Sequence, residues 1–193
     1  MNTPTTDLPG YTLRYAERGD FPAIKRLWGE VFGDGPEFVD EFLRTFWREK
    51  CCCAAFCGDE LVSMAFCLTG PSAAGHSLGY IYSVATDSRH RGHGLATRIV
   101  FVLIATAWAR LGVDVVATLP ASDSLYGWYE RTFFMTPCFT KGGEGVLFPD
   151  EWRSFSDYCG EHDPDTPSRL LAVALPDVSL DGLAGLGWDC TLD

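Results

Sequence analysis

Residues 80–97 read Tyr80-Ile-Tyr-Ser-Val-Ala-Thr-Asp-Ser-Arg-His-Arg-Gly-His-Gly-Leu-Ala-Thr97, and few folds can contain such a segment. Tyr80 to Ala85 is rich in β-branched and aromatic residues and alternates as a strand does. From Leu95 onwards Leu95, Ile99, Val102, Leu103 and Ala107 recur at helical spacing. Between strand and helix stands Arg89-x-x-Gly92-x-Gly94. A helix N-terminus carries unpaired N–H groups and the positive end of the helix dipole. Glycines let a ligand approach that backbone closely, and arginines add charge. Together these meet the requirements for gripping a phosphate or pyrophosphate. A strand running through such a turn into a helix also commits the chain to a mixed α/β class.

Other phosphate-binding patterns fit less well. A dinucleotide-binding turn needs G-x-G-x-x-G followed about 20 residues on by an acidic residue. Asp114 stands at that distance from Gly94, but the third glycine is missing. The P-loop pattern G-x-x-x-x-G-K-[ST] is absent. A plain strand–helix turn would also use glycines. It has no reason, however, to concentrate Arg89, His90, Arg91 and His93 at the already positive end of a helix.

The rest of the chain bounds the context. At 193 residues, with 47% hydrophobic and 13% aromatic residues, the length suits one domain with a sizeable core. No apolar run is long enough to cross a bilayer. The start, Met1-Asn-Thr-Pro-Thr-Thr-Asp7, lacks the basic and apolar regions of a signal peptide, so a cytoplasmic location is expected. A net charge of −11 argues against nucleic acid and anionic membrane partners and suits a cationic acceptor such as an amine. Of the eight cysteines, Cys51, Cys52, Cys53, Cys57 and Cys67 lack the paired spacing of a zinc site. They read as small buried hydrophobes, with Cys51, Cys53 and Cys57 on one strand face, and no metal is expected.

Read along the chain, Tyr11–Tyr15 is a first strand, and Asp20 caps a helix that has Pro22 in its first turn and runs to about Phe32. A break at 33–36 precedes a second helix from Glu37 to about Lys50. Cys51–Cys57 and Leu61–Leu68 form a hairpin, and Gly70–Gly75 is a small-residue loop. After the central strand and a helix to about Leu111, Gly112 takes the left-handed cap. A strand at 113–119, a helix at about 122–131 and a strand near 133–140 follow. Gly145–Phe148 reads as a short strand, Asp150–Tyr158 as a helix, Gly160–Ser168 as a solvated loop and Arg169–Leu175 as a last strand. The glycines of the tail from Val178 disfavour a helix.

The turn resembles the acyl-CoA signature of the GNAT superfamily of N-acyltransferases, [Q/R]-x-x-G-x-[G/A], with Arg89, Gly92 and Gly94 at its defined positions. Val84-Ala85-Thr86 before it and Leu95-Ala96-Thr97 after it match as well. A second block, Tyr129-Glu-Arg-Thr-Phe-Phe134, is similar to the family's Tyr-Glu-Lys-x-Gly-Phe sequence. The resemblance covers about residues 11–140 and implies the GNAT fold, a central mixed sheet flanked by helices in the order β-α-α-β-β-β-α-β-α-β. It is expected to make 1–193 a single domain, with 141–193 as an extension.

The resemblance implies acetyl transfer from acetyl-CoA to an amine of a small molecule or protein by direct attack. Coenzyme contacts fall on Val84, Ala85, Thr86, Arg89, His90, Arg91, Gly92, His93, Gly94, Leu95, Ala96 and Ser122. Tyr129 takes the position of the acid that protonates the leaving thiolate, and Tyr126 is its nearest competitor. Asp34, Glu37 and Glu41 are carboxylates near the acceptor loop, and none is singled out as the base. Phe133 stands where the family has a glycine, which bears on how Tyr129 is held. A CoA-binding module without catalysis and an acyltransferase for longer acyl groups are the alternatives. Either a monomer or a homodimer is compatible with the sequence.

Overall fold

The apolar periodicities of the chain become a mixed α/β structure in a computed structural model that describes residues 8–159, 168–190 and 192. It divides into two compact units, one of residues 1–67 and 83–105 and one of residues 68–82 and 106–193. Strands pair in the order β1-β2-β3-β4-β5-β7-β6-β8, where β1 is Thr12–Tyr15, β2 Cys52–Cys57, β3 Glu60–Ala73, β4 His76–Thr86, β5 Val115–Thr118, β6 Thr136–Lys141, β7 Arg169–Ala174 and β8 Gly187–Trp188. The helices are α1 Phe21–Phe32, α2 Pro36–Phe46, α3 Leu95–Arg110, α4 Asp123–Phe133 and α5 Asp150–Cys159. The expected order through β6 is present, and β3, β4 and α3 run through both units.

In the first unit the amphipathic helices α1 and α2 bury Trp28, Phe42 and Phe46. Trp28, Phe42 and Phe66 form an aromatic cluster with ring centroids 4.8–6.0 Å apart. Each fully buried Phe is worth about 1.5–3 kcal/mol over leaving it exposed. One local expectation is refined and one corrected. Asp20 is the N-cap residue of α1, as expected, but its side chain makes no capping hydrogen bond; its carboxylate takes a bidentate Arg14 at 2.7 and 2.8 Å and the Glu17 N–H at 2.7 Å. Helix α2 stops at Phe46 rather than near Lys50, because Trp47 is already extended. The cysteine strand is buried on both faces, as expected of small hydrophobes, with Cys51, Cys52 and Cys53 at 1–3% exposure.

In the second unit the expected loop at Gly70–Gly75 is replaced by continued strand. Strands β3 and β4 meet in a tight hairpin at Ala74 and Gly75, both at positive φ (48° and 85°). Two successive left-handed residues match the twist of the flanking strands. Gly145–Phe148 forms isolated bridges at Gly145 and Leu147 rather than a strand. Strand β7 is not the last; it inserts antiparallel between β5 and β6, and β8 pairs parallel with β6. Trp152 and Trp188, both fully buried, pack with Tyr80, Phe139 and Phe148. The segment after residue 140 therefore supplies core to this unit. Residues 160–167 of the expected solvated loop lie outside the described residues.

Candidate functional site

The turn after β4 is held by a small electrostatic knot within the first unit. Asp87, 5% exposed, donates its backbone N–H to the Val62 carbonyl at 2.9 Å. Its carboxylate accepts the Arg89 backbone N–H at 2.9 Å, Nε at 3.2 Å and Nη2 at 2.7 Å. Arg89 Nη2 also meets Glu60 at 2.7 Å. The Arg89 side chain, then its backbone N–H, holds the Asp87 carboxyl well below the usual carboxylate range. The Arg89 guanidinium, itself largely exposed, thus pairs with two carboxylates and braces the turn.

Backbone and Arg91 are also open to a ligand. Gly92 and Gly94 have φ of 81° and 72°, and a Cβ built on either would meet nothing within 4 Å. Those two openings lie beside the first turn of α3, where N–H groups lack helical partners. Helix α3 begins at Leu95, with Leu95 buried and Ala96 half-buried. Such an open, glycine-lined helix entrance fits a pyrophosphate. Arg91 is exposed and donates Nε to the Thr86 carbonyl at 3.3 Å. The two histidines sit against Tyr11: its hydroxyl is 3.0 Å from His90 Nδ1, and its ring centroid is 5.6 Å from that of His93.

The strand leading to the turn is also braced. Buried Ser63 donates to the Ala85 carbonyl at 2.8 Å, and its oxygen lies 2.8 Å from the Thr86 hydroxyl. Ser83 takes φ of 51° inside β4, a left-handed conformation rare for a residue with a side chain. Val84, next along, is half-buried.

In the second unit, α4 carries the other predicted residues. Ser122 is the N-cap of α4, its hydroxyl 2.9 Å from that of Ser124. Tyr129 is 4% exposed, between Trp128 and Phe133. Burial pushes its hydroxyl up to about 12, and a hydrogen bond with Thr118 offsets part of that rise. Tyr129 therefore carries its proton at neutral pH. Tyr126 is committed elsewhere, donating to the Arg169 carbonyl at 2.5 Å. Phe133 does not cut the helix short: α4 continues through it, and the left-handed exit falls on Phe134, φ 56°.

The candidate acceptor carboxylates have partners or lie open to solvent. Asp34 accepts the Trp28 indole N–H at 2.7 Å, Glu41 is paired with Arg44, and Glu37 is exposed in the first turn of α2. Burial pushes the Cys51 thiol up to about 11 and Cys53 up to about 12, which makes both poor nucleophiles. Sequence reading missed Asp87, Ser63 and Thr118. Asp87 was findable, as an acidic residue at the mouth of a turn; Ser63 and Thr118 look like ordinary strand residues.

A family model described as the acetyltransferase (GNAT) domain matches residues 12–132. The chain belongs to the GNAT family. Among solved structures, it resembles the GNAT N-acetyltransferase YhbS of Escherichia coli in complex with CoA (18% identity, TM-score 0.65, covering 95% of this chain and 92% of that one). It also resembles Arabidopsis thaliana Naa50 in complex with the bisubstrate analogue CoA-Ac-MVNAL (11% identity, TM-score 0.60, 86% and 99%). A Pyrococcus horikoshii protein assigned as an acetyltransferase is similar at 21% identity and TM-score 0.56; 71% of this chain is covered, and it spans 47% of that protein's length. No curated protein matches. At these identities the structural likenesses speak for the fold. Among the described residues of this GNAT chain, no helix is long and apolar enough to cross a membrane.

Proposed function

We propose that this chain is an acetyl-CoA-dependent N-acetyltransferase that passes the acetyl group directly to an amine. The observation that carries the reading is the open, glycine-lined entrance to α3 at Gly92 and Gly94, within a segment that fits the family's coenzyme signature. Backbone N–H groups there take the pyrophosphate, with Arg91 at their side. Main-chain groups of Val84, Ala85 and Thr86 receive the amide-rich pantetheine arm as a further strand. Arg89 and His90 serve by shaping the turn.

The chemistry needs one bond made and one broken. The amine nitrogen attacks the thioester carbon, the C–S bond breaks, and the coenzyme leaves as a thiolate. A free thiol has a pKa of about 8.5, so the thiolate is a fair leaving group that a proton donor improves. Tyr129, protonated at neutral pH, supplies that proton, and the attacking nitrogen loses its own to water. An amine of pKa about 10 is mostly protonated at pH 7, so turnover rises with pH until the free amine dominates.

The test follows thiol release from acetyl-CoA over a panel of small amines and peptide N-termini. Wild-type protein releases thiol with at least one amine, and Tyr129→Phe lowers kcat by about 10²-fold or more, the usual contribution of an acid catalyst, while acetyl-CoA affinity holds. Binding of acetyl-CoA without turnover across the panel points instead to a coenzyme-binding module. Faster turnover along an acyl chain-length series points to a longer-chain acyltransferase.

A further inference from the structure

Among the described residues of the first unit, the buried hydroxyl and carboxylate side chains are Ser63, Ser83 and Asp87, and all three lie on or beside the end of β4. Ser63 interrupts an apolar stretch of β3: it is 0% exposed, with Leu61, Val62, Met64, Ala65 and Phe66 buried on either side in sequence. A hydroxyl at such a position needs partners, because an unpaired polar group in the interior is costly. Its single hydrogen goes to the Ala85 carbonyl at 2.8 Å, an oxygen that can only accept. The Thr86 hydroxyl, 2.8 Å from the same Ser63 oxygen, is therefore the donor in that second bond. One residue further on, the Asp87 backbone N–H reaches the Val62 carbonyl at 2.9 Å. Three successive residues are thus tied to Val62 and Ser63 of β3: Ala85 by its carbonyl, Thr86 by its side chain and Asp87 by its N–H. All of them belong to the first unit.

We infer that Ser63 is a positioning residue for the coenzyme: its buried hydroxyl fixes the twist of β4 at Ala85 and Thr86, and so the direction in which that strand's main chain meets the pantetheine arm. The inference rests on the reading that the arm pairs with Val84, Ala85 and Thr86. Neighbouring strands differ in twist by about 10–35° from sheet to sheet, so pairing alone does not set a strand's direction. In β4 the difficulty is sharper, because the strand loses its regular course at Ser83, φ 51°, just before the residues that meet the arm. Ser63 restores a definite course directly after that break. It bonds the main chain of one residue and the side chain of the next, and rotating β4 about its axis would strain both bonds at once. An alanine at position 63 would leave the Ala85 carbonyl and the Thr86 hydroxyl without the partner they share.

The experiment compares Ser63→Ala, Thr86→Val and the Ser63→Ala/Thr86→Val pair in the full chain by calorimetric titration with two probes. Acetyl-CoA carries the pantetheine arm; adenosine 3′,5′-bisphosphate lacks it and keeps the nucleotide end. Expected in Ser63→Ala are an acetyl-CoA Kd raised about tenfold and a bisphosphate Kd within about twofold of wild type. The paired variant binds acetyl-CoA no more weakly than Ser63→Ala alone, since both changes cut one network. Hydrogen exchange of the free protein needs no ligand: in Ser63→Ala the Asp87 amide exchanges faster, while the amides of α1 and α2 keep their protection. Wild-type acetyl-CoA affinity in Ser63→Ala overturns the inference and leaves the coenzyme reading standing. Equal losses for the two probes also overturn it, because they mark a loosened turn rather than a misdirected strand. So does an Asp87 amide that exchanges at the wild-type rate. Should Ser63→Ala not fold, Thr86→Val, altered at a half-buried side chain, carries the same comparison. Wild-type protein that does not bind acetyl-CoA overturns the coenzyme reading itself.

Discussion

Arg89 grips Asp87 through both Nε and Nη2, and the same carboxylate accepts the Arg89 backbone N–H. The first residue of the coenzyme signature thereby braces the turn. With Glu60 on the same guanidinium, two carboxylates face one arginine. Backbone N–H groups and Arg91 add positive character at the turn.

This relationship has a pH consequence. A carboxyl whose pKa is lowered in the folded state stabilises the fold fully above its unfolded value, about 3.9 for Asp, and that contribution is lost as pH falls below it. Asp87→Asn should therefore melt at a lower temperature than wild type at pH 6, with the gap narrowing steadily below about pH 4. Tm measured by calorimetry from pH 2.5 to 7 checks it. A gap that stays constant with pH means that the charge on Asp87 contributes nothing.

The two glycines of the turn make a separate prediction. Gly94→Ala places a Cβ in open space but on a left-handed backbone, at a cost of about 1–2 kcal/mol. If that space receives the pyrophosphate, acetyl-CoA affinity falls as well, by about tenfold for 1.4 kcal/mol of lost binding. Calorimetric titration separates the two effects. A melting temperature that falls while Kd stays fixed would falsify the pyrophosphate assignment.

How much of this was legible from the chain depends on the range of the interaction. The turn, its glycines and Tyr129 are local patterns, and they fall on the β4–α3 connection and on α4. The partners of Arg89 were not legible, because Glu60 stands 29 positions away in sequence. Thr118 was invisible because a threonine in Val115-Val-Ala-Thr118 looks like any β-branched strand residue. The Gly70–Gly75 region misled for the opposite reason: its small residues suggest a loop, yet only Ala74 and Gly75 make the turn and the rest extends β3.

The helix exit after Tyr129 carries strain that can be removed. Phe134 is 78% exposed and held at φ 56°, the position where helices favour glycine. Phe134→Gly relieves a left-handed side chain and gives up little buried surface. Denaturant unfolding should show a gain of about 1 kcal/mol, with kcat unchanged because α4 already ends beyond Tyr129. A loss of stability would mean that the exposed ring has a packing role.

Gly187 tests whether the C-terminal segment is part of the fold. Strand β8 runs against the Gly142–Glu144 turn so closely that a Cβ on Gly187 would lie 2.2 Å from the Gly143 carbonyl carbon and 2.4 Å from the Glu144 nitrogen. Those are backbone atoms, which cannot rotate aside. Gly187→Ala must push β8 off β6, and Trp188, fully buried against Tyr80 and Phe139, moves with it. Overpacking of this kind costs about 1–3 kcal/mol, and withdrawing a buried Trp adds toward the 3–5 kcal/mol of a large-to-small core change. A domain with only about 5–15 kcal/mol in hand should lose much of its stability. Denaturant unfolding followed by tryptophan fluorescence reads the loss directly; a variant as stable as wild type would mean that residues 187–188 are dispensable to the core.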